Sequence, residues 1–298
     1  MQTAHPVIQP FLDFLQFEKR YSRHTIISYQ TDLIAFFDYL VTQYGELSLA
    51  SVSHIYIRSW LASLKDEGLT SKSINRKIST LKSFFKFQLK QGAIKQTPMA
   101  KIIAPKNEKR LPYFVSEKDI QLLFNHIEFE GWKGRTERLL LLLFYHTGMR
   151  LSELNQLTDN HINFSNNTVK VLGKGNKERI IPLSSDLLTE INIYIQAKAQ
   201  EFTGLTLGSL LVNEKGRPLS PRSVYNIVKH YLSQVTTIEK KSPHVLRHTF
   251  ATHLTNKGAD LNAVKELLGH SSLAATQVYT HNTIEKLKNV YKKAHPKA

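Results

Sequence analysis

The sequence has no cysteine among its 298 residues. This absence excludes disulfide bonds, thiolate catalysis and zinc or iron–sulfur sites that depend on cysteine ligands. Long apolar runs are also missing: the longest extends from Leu139 to Tyr145, whereas a helix that spans a bilayer needs about 20 residues. The segment from Met1 to Arg20 does not show the basic and then apolar order of a secretory signal. We therefore expect a cytoplasmic protein with no membrane partner.

Acidic residues are scarce as well. Forty Lys and Arg against 24 Asp and Glu give a formal net charge of +16. Between Gly68 and Asn107 there is no Asp or Glu, but there are nine Lys or Arg. Such an excess is typical of proteins that bind nucleic acid, because Lys and Arg displace the counterions of phosphates. A basic enzyme without such a partner is the alternative that charge alone leaves open.

The length predicts two domains, at roughly 100–200 residues per domain. Residues 106–112 belong to the stretch IIAPKNEKRLP, which combines prolines and charges with little periodicity. This composition is typical of a linker. We expect a helical domain over 1–105, the linker over 106–112 and a second domain over 113–298.

The first domain is predicted to consist of four helices. Apolar residues recur at helical spacing over 7–19, and Ser22 is a candidate cap for a second helix that continues through Leu40. A third helix is predicted over 51–65 and a fourth over 71–90. The fourth has an apolar stripe formed by Ile74, Ile78, Leu81, Phe85 and Leu89.

Basic residues of the fourth helix fall mostly outside this stripe. Because no acidic residue accompanies them, we expect this helix to contact DNA phosphates. The predicted DNA-binding residues are Lys72, Arg76, Lys77, Lys82, Lys86 and Lys90.

The second domain is predicted to be mainly helical with a small β-hairpin. Ser116 begins a helix, and a strongly apolar helix over 136–145 ends before Gly148. Alternating apolar residues on both sides of the turn-prone 173–176 predict the hairpin. Further helices are predicted over 184–200, 220–233, 242–256, 260–268 and 283–292, with Ser242 as a capping residue before Pro243.

Four segments of this domain carry polar residues that packing does not demand. They are Arg150 with Glu153, Lys174 between two glycines, the trio His244, Arg247 and His248, and His270 with Tyr279. Each has an ordinary explanation alone, such as a surface ion pair or an amphipathic tyrosine. Two histidines at i, i+4 can bind a metal, but no carboxylate lies between them. We expect no metal.

Together these residues suit phosphodiester cleavage. The reaction puts extra negative charge on the non-bridging phosphate oxygens, which two guanidinium groups match. A tyrosine nucleophile needs a base, and the departing oxygen needs an acid. Imidazole and lysine fill these roles without a metal. Magnesium-dependent nucleases need carboxylates to hold the ion, and the sequence offers no such set.

Four sequence segments resemble those of the tyrosine site-specific recombinases, and most of all the Xer subfamily. These segments are TGMRLSEL (147–154), VLGKGNKERIIPL (171–183), HVLRHTFATHL (244–254) and LLGHSSLAATQVYTH (267–281). The resemblance extends over the whole chain, and the ordered set Arg–Lys–His-x-x-Arg–His–Tyr is complete. His270 stands where some members of the family have tryptophan.

The resemblance implies a role for each polar residue in the reaction. Tyr279 would attack the scissile phosphate, which forms a 3′-phosphotyrosyl link and frees a 5′ hydroxyl. Lys174, carried by the hairpin, would protonate the leaving 5′ oxygen, and His244 would act as base toward the tyrosyl proton. Because the covalent intermediate keeps the bond energy, neither ATP nor another cofactor is needed.

The remaining residues would hold the phosphate. By the same resemblance, Arg150 and Arg247 bind the non-bridging oxygens, and His270 donates a further hydrogen bond to them. Glu153 and His248 would orient Arg150 and the active-site helix.

The resemblance also implies a fold and a set of partners. The fold is a two-domain, C-shaped DNA clamp, with a helical SAM-like core-binding domain and a mixed α+β catalytic domain that ends in an exchange helix. The partners are duplex DNA with a dif-like site, further subunits in a homo- or hetero-tetramer on two sites, and a septal DNA translocase of the FtsK type.

A C-terminal apolar stripe at Ile284, Leu287, Val290 and Tyr291 suits docking into another subunit or folding back on its own domain. The implied function is resolution of chromosome dimers during cell division.

Two other functions stay open. A mobile-element or phage integrase would use the same chemistry, although arm-binding integrases usually carry an extra N-terminal domain that this sequence does not show. A sequence-specific DNA-binding protein without catalysis would have no use for Tyr279. A type IB topoisomerase shares much of the chemistry, but nothing favours relaxation of supercoils over exchange between paired sites.

Overall fold

The computed structural model describes residues 6–106, 113–173, 178–204 and 208–269. The chain divides into two compact units, Met1–Arg110 and Leu111–Ala298. Within the described ranges, no helix has both the length and the apolar character that a membrane span requires. The predicted helix over 283–292 lies outside the described residues, as do nearly all of the predicted linker and the turn of the hairpin.

The first unit contains the four predicted helices. They are α1 (Gln9–Asp13), which continues as a π-helical segment over Phe14–Glu18, α2 (Arg23–Tyr44), α3 (His54–Asp66) and α4 (Ser71–Lys90), with a short 3₁₀ turn at Leu49–Ser51. Ser22 caps α2 as predicted, because its side chain accepts a hydrogen bond from the backbone N–H of Thr25. The third helix begins later than predicted, with Ser53 as its cap.

An aromatic core holds the first unit together. Phe36 packs against Trp60 and Phe85, with ring centroids 5.0 and 6.3 Å apart. The predicted stripe of α4 is correct except at its last member, Leu89, which is 40% exposed. Phe84 is buried instead, so the buried face of α4 is wider than a single stripe.

Lys77 lies inside this unit, contrary to its prediction as a DNA contact. Its side chain is buried, and Nζ lies 3.0 Å from Oδ1 of the fully buried Asp32 on α2. Thr80 donates to the other carboxylate oxygen at 3.1 Å. Lys77 therefore joins α4 to α2 and balances a buried charge, because an unpaired carboxylate in the core would be costly.

The second unit is helical around a small sheet. Its helices are α5 (Glu117–Asn125), α6 (Gly131–Thr147), α7 (Leu151–Asn155), α8 (Ser185–Glu201), α9 (Pro221–Val235), α10 (Pro243–Asn256) and α11 (Leu261–Leu268). The strands β1 (Ile162–Asn163), β2 (Thr168–Leu172) and β3 (Glu178–Pro182) form an antiparallel sheet in that order. The predicted mainly helical fold with a small sheet is confirmed, although β1 was not predicted.

Helix α6 forms the centre of this unit. Its residues from Leu139 to Thr147 are all buried, as expected for a helix that is apolar on every side. The helix ends at Gly148, which is in the left-handed conformation with φ 58°. A Cβ at Gly148 would lie 2.4 Å from Cδ1 of Phe250. Only glycine fits this turn, and the turn directs the chain into α7.

Serine caps were predicted at the starts of α5 and α10, and only the first is formed. The Ser116 side chain accepts a hydrogen bond from the Asp119 N–H and so caps α5 as predicted. Ser242 occupies the N-cap position of α10, but its side chain makes no capping hydrogen bond. Pro243 alone therefore marks the start of α10.

Protonation of His253 should destabilise the second unit in acid. His253 is buried, and its Nδ1 lies 3.2 Å from the hydroxyl of Tyr145. Burial lowers the pKa of His253 below its ordinary value, with Lys257 adding to the effect and with Glu117 and a hydrogen bond that the ring donates to the Val115 backbone opposing it. The neutral form is thus favoured by folding, so its stabilisation is complete above the unfolded pKa and is lost as the pH falls toward the folded pKa.

We expect the thermal midpoint of the wild-type protein to fall more steeply between pH 7 and pH 5 than that of His253→Leu. Unfolding curves measured at both pH values in the two proteins check this. Parallel decreases would contradict a role for His253 in acid sensitivity.

Candidate active site

The turn at Gly148 places Arg150 directly before α7. Its backbone N–H donates to Oε2 of Glu153 at 2.7 Å, and Nη1 of its side chain donates to Oε1 at 2.8 Å. The predicted ion pair is therefore present, but it is not a surface pair, because the Glu153 side chain is only 1% exposed. A buried carboxylate thus fixes the direction of a guanidinium that is itself one-third exposed.

A second arginine, Arg179 on β3, binds the same carboxylate. Its Nη1 and Nη2 donate to Oε1 and Oε2 of Glu153 at 2.5 and 2.8 Å. Burial acts to raise the pKa of Glu153, but the hydrogen bonds and charge of Arg179, together with the bonds from Arg150, more than offset this and hold that pKa below its usual value. Glu153 is therefore ionised at neutral pH.

Arg247 on α10 is the most deeply buried cation of the predicted site. Its residue exposure is 4%, and it donates from Nη1 to the carbonyl of Gly148 at 2.7 Å and from Nη2 to the carbonyl of Leu268 at 2.5 Å. Burial, and then the nearby charges of Arg150 and Arg179, lower the pKa of Arg247 to about 10. Arg247 remains charged at neutral pH.

The three arginines meet at the end of α11. Nε of Arg179 donates to the carbonyl of Leu267 at 2.9 Å, Arg247 donates to that of Leu268, and Nη2 of Arg150 donates to that of Gly269 at 2.8 Å. Carbonyls at a helix C-terminus lack partners within the helix and carry partial negative charge. The helix end therefore aligns three guanidinium groups around one point.

The two histidines of α10 lie side by side, as their spacing predicts. The rings of His244 and His248 are 4.5 Å apart between centroids. His244 is exposed, His248 is half-buried, and Arg247 is more deeply buried than either. Burial, and then the charge of Arg247, lower the pKa of His248, so this ring is neutral at neutral pH.

Three predicted catalytic residues, Lys174, His270 and Tyr279, lie outside the described residues. The structure describes the chain next to two of them. Strand β2 ends two residues before Lys174, and Gly269, whose carbonyl binds Arg150, comes directly before His270.

Arg179 is the residue of this site that sequence reasoning missed. In the stretch KERIIP, Arg179 follows two other charged residues, and such a cluster is typical of a surface exposed to solvent. Strand alternation offered the signal, because Arg179 lies on the same face as Ile181, which is fully buried. A charged residue at an inward position of a strand indicates a buried partner.

The site carries a surplus of positive charge. Three guanidinium groups and one carboxylate give two net positive charges. Within the described part of the chain, Arg150 and Arg247 each donate two hydrogen bonds through the side chain, and a guanidinium has five N–H groups. Donors and charge are therefore available for an anion with several oxygens, such as a phosphodiester.

The basic face predicted for α4 is present in the first unit. Five of the six predicted residues are exposed, with Lys77 as the exception; they are Lys72, Arg76, Lys82, Lys86 and Lys90. The side chain of Arg76 is half-exposed and lies 2.9 Å from Asp32, whose negative charge partly offsets that of the guanidinium. The four lysines have no acidic partner among the described residues.

Neutralising three of these lysines tests the basic face. The triple variant with glutamine at Lys82, Lys86 and Lys90 should bind every DNA sequence more weakly, and the slope of log K against log salt should fall by about three, at roughly 0.9 per phosphate contact. Titrations at several salt concentrations measure this. Lys65→Gln, exposed on α3 beside Asp66, is the control with an unchanged slope. If the triple variant also keeps the wild-type slope, the face does not contact DNA.

A unit with three clustered arginines, in a chain whose other unit exposes a basic helix, is typical of the class of proteins that act on nucleic-acid phosphates. Comparison with known families gives the particular group. Residues 113–286 match the phage integrase family, and residues 8–92 match the SAM-like N-terminal domain of phage integrases. The chain therefore belongs to the phage integrase family of tyrosine recombinases, enzymes that cleave and rejoin DNA.

Curated relatives cover the whole chain. It is 37% identical to the tyrosine recombinase XerC of Bacillus subtilis, over 100% of this chain and 99% of the relative. It is 38% identical to XerC of Staphylococcus carnosus, over 97% of each. The predicted resemblance to the Xer subfamily is confirmed.

Solved structures show the same fold. The XerH site-specific recombinase bound to palindromic difH substrate matches with a TM-score of 0.73 and 21% identity, over 97% of both chains. The Tn1549 transposon integrase, in complex with transposon right end DNA, matches with a TM-score of 0.72 and 19% identity, over 95% of this chain and 98% of the other.

Proposed function

We propose that this protein is a Xer-type site-specific recombinase that resolves chromosome dimers at a dif-like site during cell division. The observation that carries the proposal is the convergence of Arg150 and Arg247 on the carbonyls of Gly269 and Leu268, at the end of α11 and immediately before His270. This arrangement supports a phosphate site next to the segment that contains Tyr279. The names of the XerC relatives and of the difH-bound XerH support the choice of substrate.

The proposed cleavage step conserves every atom. The oxygen of Tyr279 forms a bond to the scissile phosphorus, and the bond from phosphorus to the 5′ oxygen breaks. His244 takes the phenolic proton, and Lys174 gives a proton to the leaving 5′ oxygen. The 5′ hydroxyl of a second strand then attacks the phosphotyrosine in reverse, which releases Tyr279 and rejoins the DNA.

The arginines stabilise the charge that develops on the phosphorus-bound oxygens. Arg150 and Arg247 are held in fixed directions before substrate arrives, so little reorganisation is needed when the charge appears. His270 adds a hydrogen bond to the same oxygens. Glu153 orients Arg150, while the neutral ring of His248 supports the helix that carries Arg247.

The proposed assembly extends this site to four subunits. Two duplexes would be bound by a homo- or hetero-tetramer in the cytoplasm, with 1–105 as the core-binding domain, 106–112 as the linker and 113–298 as the catalytic domain. The C-terminal segment would pass to a neighbouring subunit, and a septal translocase of the FtsK type would activate the complex. The apolar stripe of that segment and the Xer relatives support these assignments.

A mobile-element integrase is the second candidate. The Tn1549 transposon integrase matches the fold almost as well as XerH does, and both uses rely on the same chemistry. The curated relatives favour the first candidate.

Trapping experiments on genomic DNA test the proposal. The purified protein is incubated with a library of nicked fragments from its own genome, in which cleavage releases a short oligonucleotide and leaves the protein attached. Sequencing of the attached DNA should identify one chromosomal site with two inverted half-sites. Enrichment of mobile-element ends would favour the integrase, and a failure to trap any DNA would contradict both candidates.

A further inference from the structure

We propose that Arg179 is a positioning residue for DNA cleavage. By donating hydrogen bonds to both carboxylate oxygens of Glu153, it keeps the guanidinium of Arg150 directed at the scissile phosphate. The inference rests on the proposed function, because it explains how that same site meets its substrate. We assign Arg179 no contact of its own with the phosphate or the nucleophile.

The hydrogen bonds of Glu153 show how Arg179 would act. Oε1 accepts from Arg150 at 2.8 Å and from Arg179 at 2.5 Å, while Oε2 accepts from the Arg150 backbone at 2.7 Å and from Arg179 at 2.8 Å. A carboxylate has about four positions for accepted hydrogen bonds, so all are filled. The Arg150 side chain takes only one of these four positions, through Nη1. The other terminal nitrogen of Arg150, Nη2, donates to the carbonyl of Gly269.

Without Arg179, the same carboxylate would act against the site. Arginine and carboxylate groups readily form bidentate pairs through two parallel hydrogen bonds. With the Arg179 fork removed, Glu153 would be free to take both terminal nitrogens of Arg150. That pair would neutralise Arg150 and turn it away from the phosphate. Because Arg179 is also lost, the net charge of the site would fall from two positive charges to one.

Arg179 also connects separate segments of the site. It lies on β3, whose hairpin carries Lys174, and its Nε donates to the carbonyl of Leu267 on α11. With its bonds to Glu153 on α7, one side chain joins a strand and two helices. Its side chain is 6% exposed, so water competes little for these bonds.

A second buried cation of the same unit offers a matched control. Lys198 on α8 is 5% exposed, and its Nζ donates to Asp159 at 2.6 Å and to the carbonyls of Ser209 and Leu210 at 3.0 and 3.1 Å. These partners include none of the predicted site residues. Removing Lys198 therefore tests what the loss of a buried cation does to the fold alone.

The experiment compares two substrates in the full-length protein. Both are nicked duplexes with the sequence trapped by the wild-type protein, and one has a methylphosphonate at the scissile position. The methyl group removes the negative charge that Arg150 would neutralise. On the phosphate, Arg179→Met should form the covalent complex about 30–100-fold more slowly than wild type. On the methylphosphonate, its rate should be within about 3-fold of wild type, because this substrate lacks the negative charge that Arg150 would stabilise in either protein.

Two further variants keep the test decisive. Arg179→Lys keeps the charge but cannot form the fork, so it should be about 10-fold slower on the phosphate alone; it replaces Arg179→Met if that variant does not fold. Lys198→Met should melt at a lower temperature yet keep both rates within about 3-fold per folded molecule.

Equal slowing on both substrates would overturn the inference, because it would indicate a purely structural role. A wild-type rate on the phosphate would also overturn it. If the wild-type protein traps no DNA, the proposed function fails and this inference with it. That outcome is distinct because it appears without any change at Arg179.

Discussion

Replacement of Tyr279 by phenylalanine is expected to abolish covalent attachment to DNA and to leave DNA binding unchanged. Phenylalanine keeps the ring but lacks the oxygen that would form the bond to phosphorus. Formation of the protein–DNA adduct should therefore fall by at least about 1,000-fold. Denaturing gels of nicked substrates measure the adduct, and gel-shift titrations measure binding.

The control for Tyr279 is Tyr291, the other tyrosine of the segment after Gly269. Tyr291→Phe removes the same oxygen from the same segment, so it should retain adduct formation. An adduct that persists in Tyr279→Phe would reject Tyr279 as the nucleophile, and its loss in Tyr291→Phe would transfer the assignment.

Much of the fold follows from local sequence signals, since those signals act within a few residues. Ser22 and Ser116 each accept a hydrogen bond from an N–H three residues ahead, a bond that is visible in the spacing alone. Gly148 was recognised at the end of α6 for the same reason. The two-residue strand β1 was missed because it is too short for alternation to be detected.

The residues that were misjudged depend on partners far away in the chain. Lys77 was predicted to bind DNA, but its partner Asp32 lies on another helix and removes it from the surface. Arg179 was overlooked because its partner Glu153 precedes the whole sheet. A single sequence shows the charge of such residues but not the pairing that decides where the charge points. The same limit applied to Glu153. The sequence is compatible with a surface ion pair to Arg150, whereas the structure shows a buried carboxylate that orients two arginines.

Substitution of Arg247 by lysine should have the second-largest effect. Lysine keeps one positive charge, but its ammonium is a compact group that cannot bond to the carbonyls of Gly148 and Leu268 and also present a planar fork to the phosphate. Cleavage should fall by about 100–1,000-fold. The loss of a buried hydrogen bond should also lower the free energy of unfolding by about 1–3 kcal/mol. Single-turnover adduct formation and urea unfolding measure the two effects separately.

Arg138→Lys is the matched control for Arg247→Lys, because Arg138 forms an ion pair with Glu190 on α8 in the same unit. It should cleave at a rate within about 3-fold of wild type, since an ion pair whose side chains are about one-third exposed contributes little. Near-normal cleavage by Arg247→Lys would show that charge alone suffices and would reject the planar fork as the reason for arginine. The positive charge at this position is costly in the free protein, whichever residue carries it. Burial and two neighbouring arginines lower the pKa of Arg247, and a bound phosphate would relieve that repulsion most fully when its own negative charge is greatest.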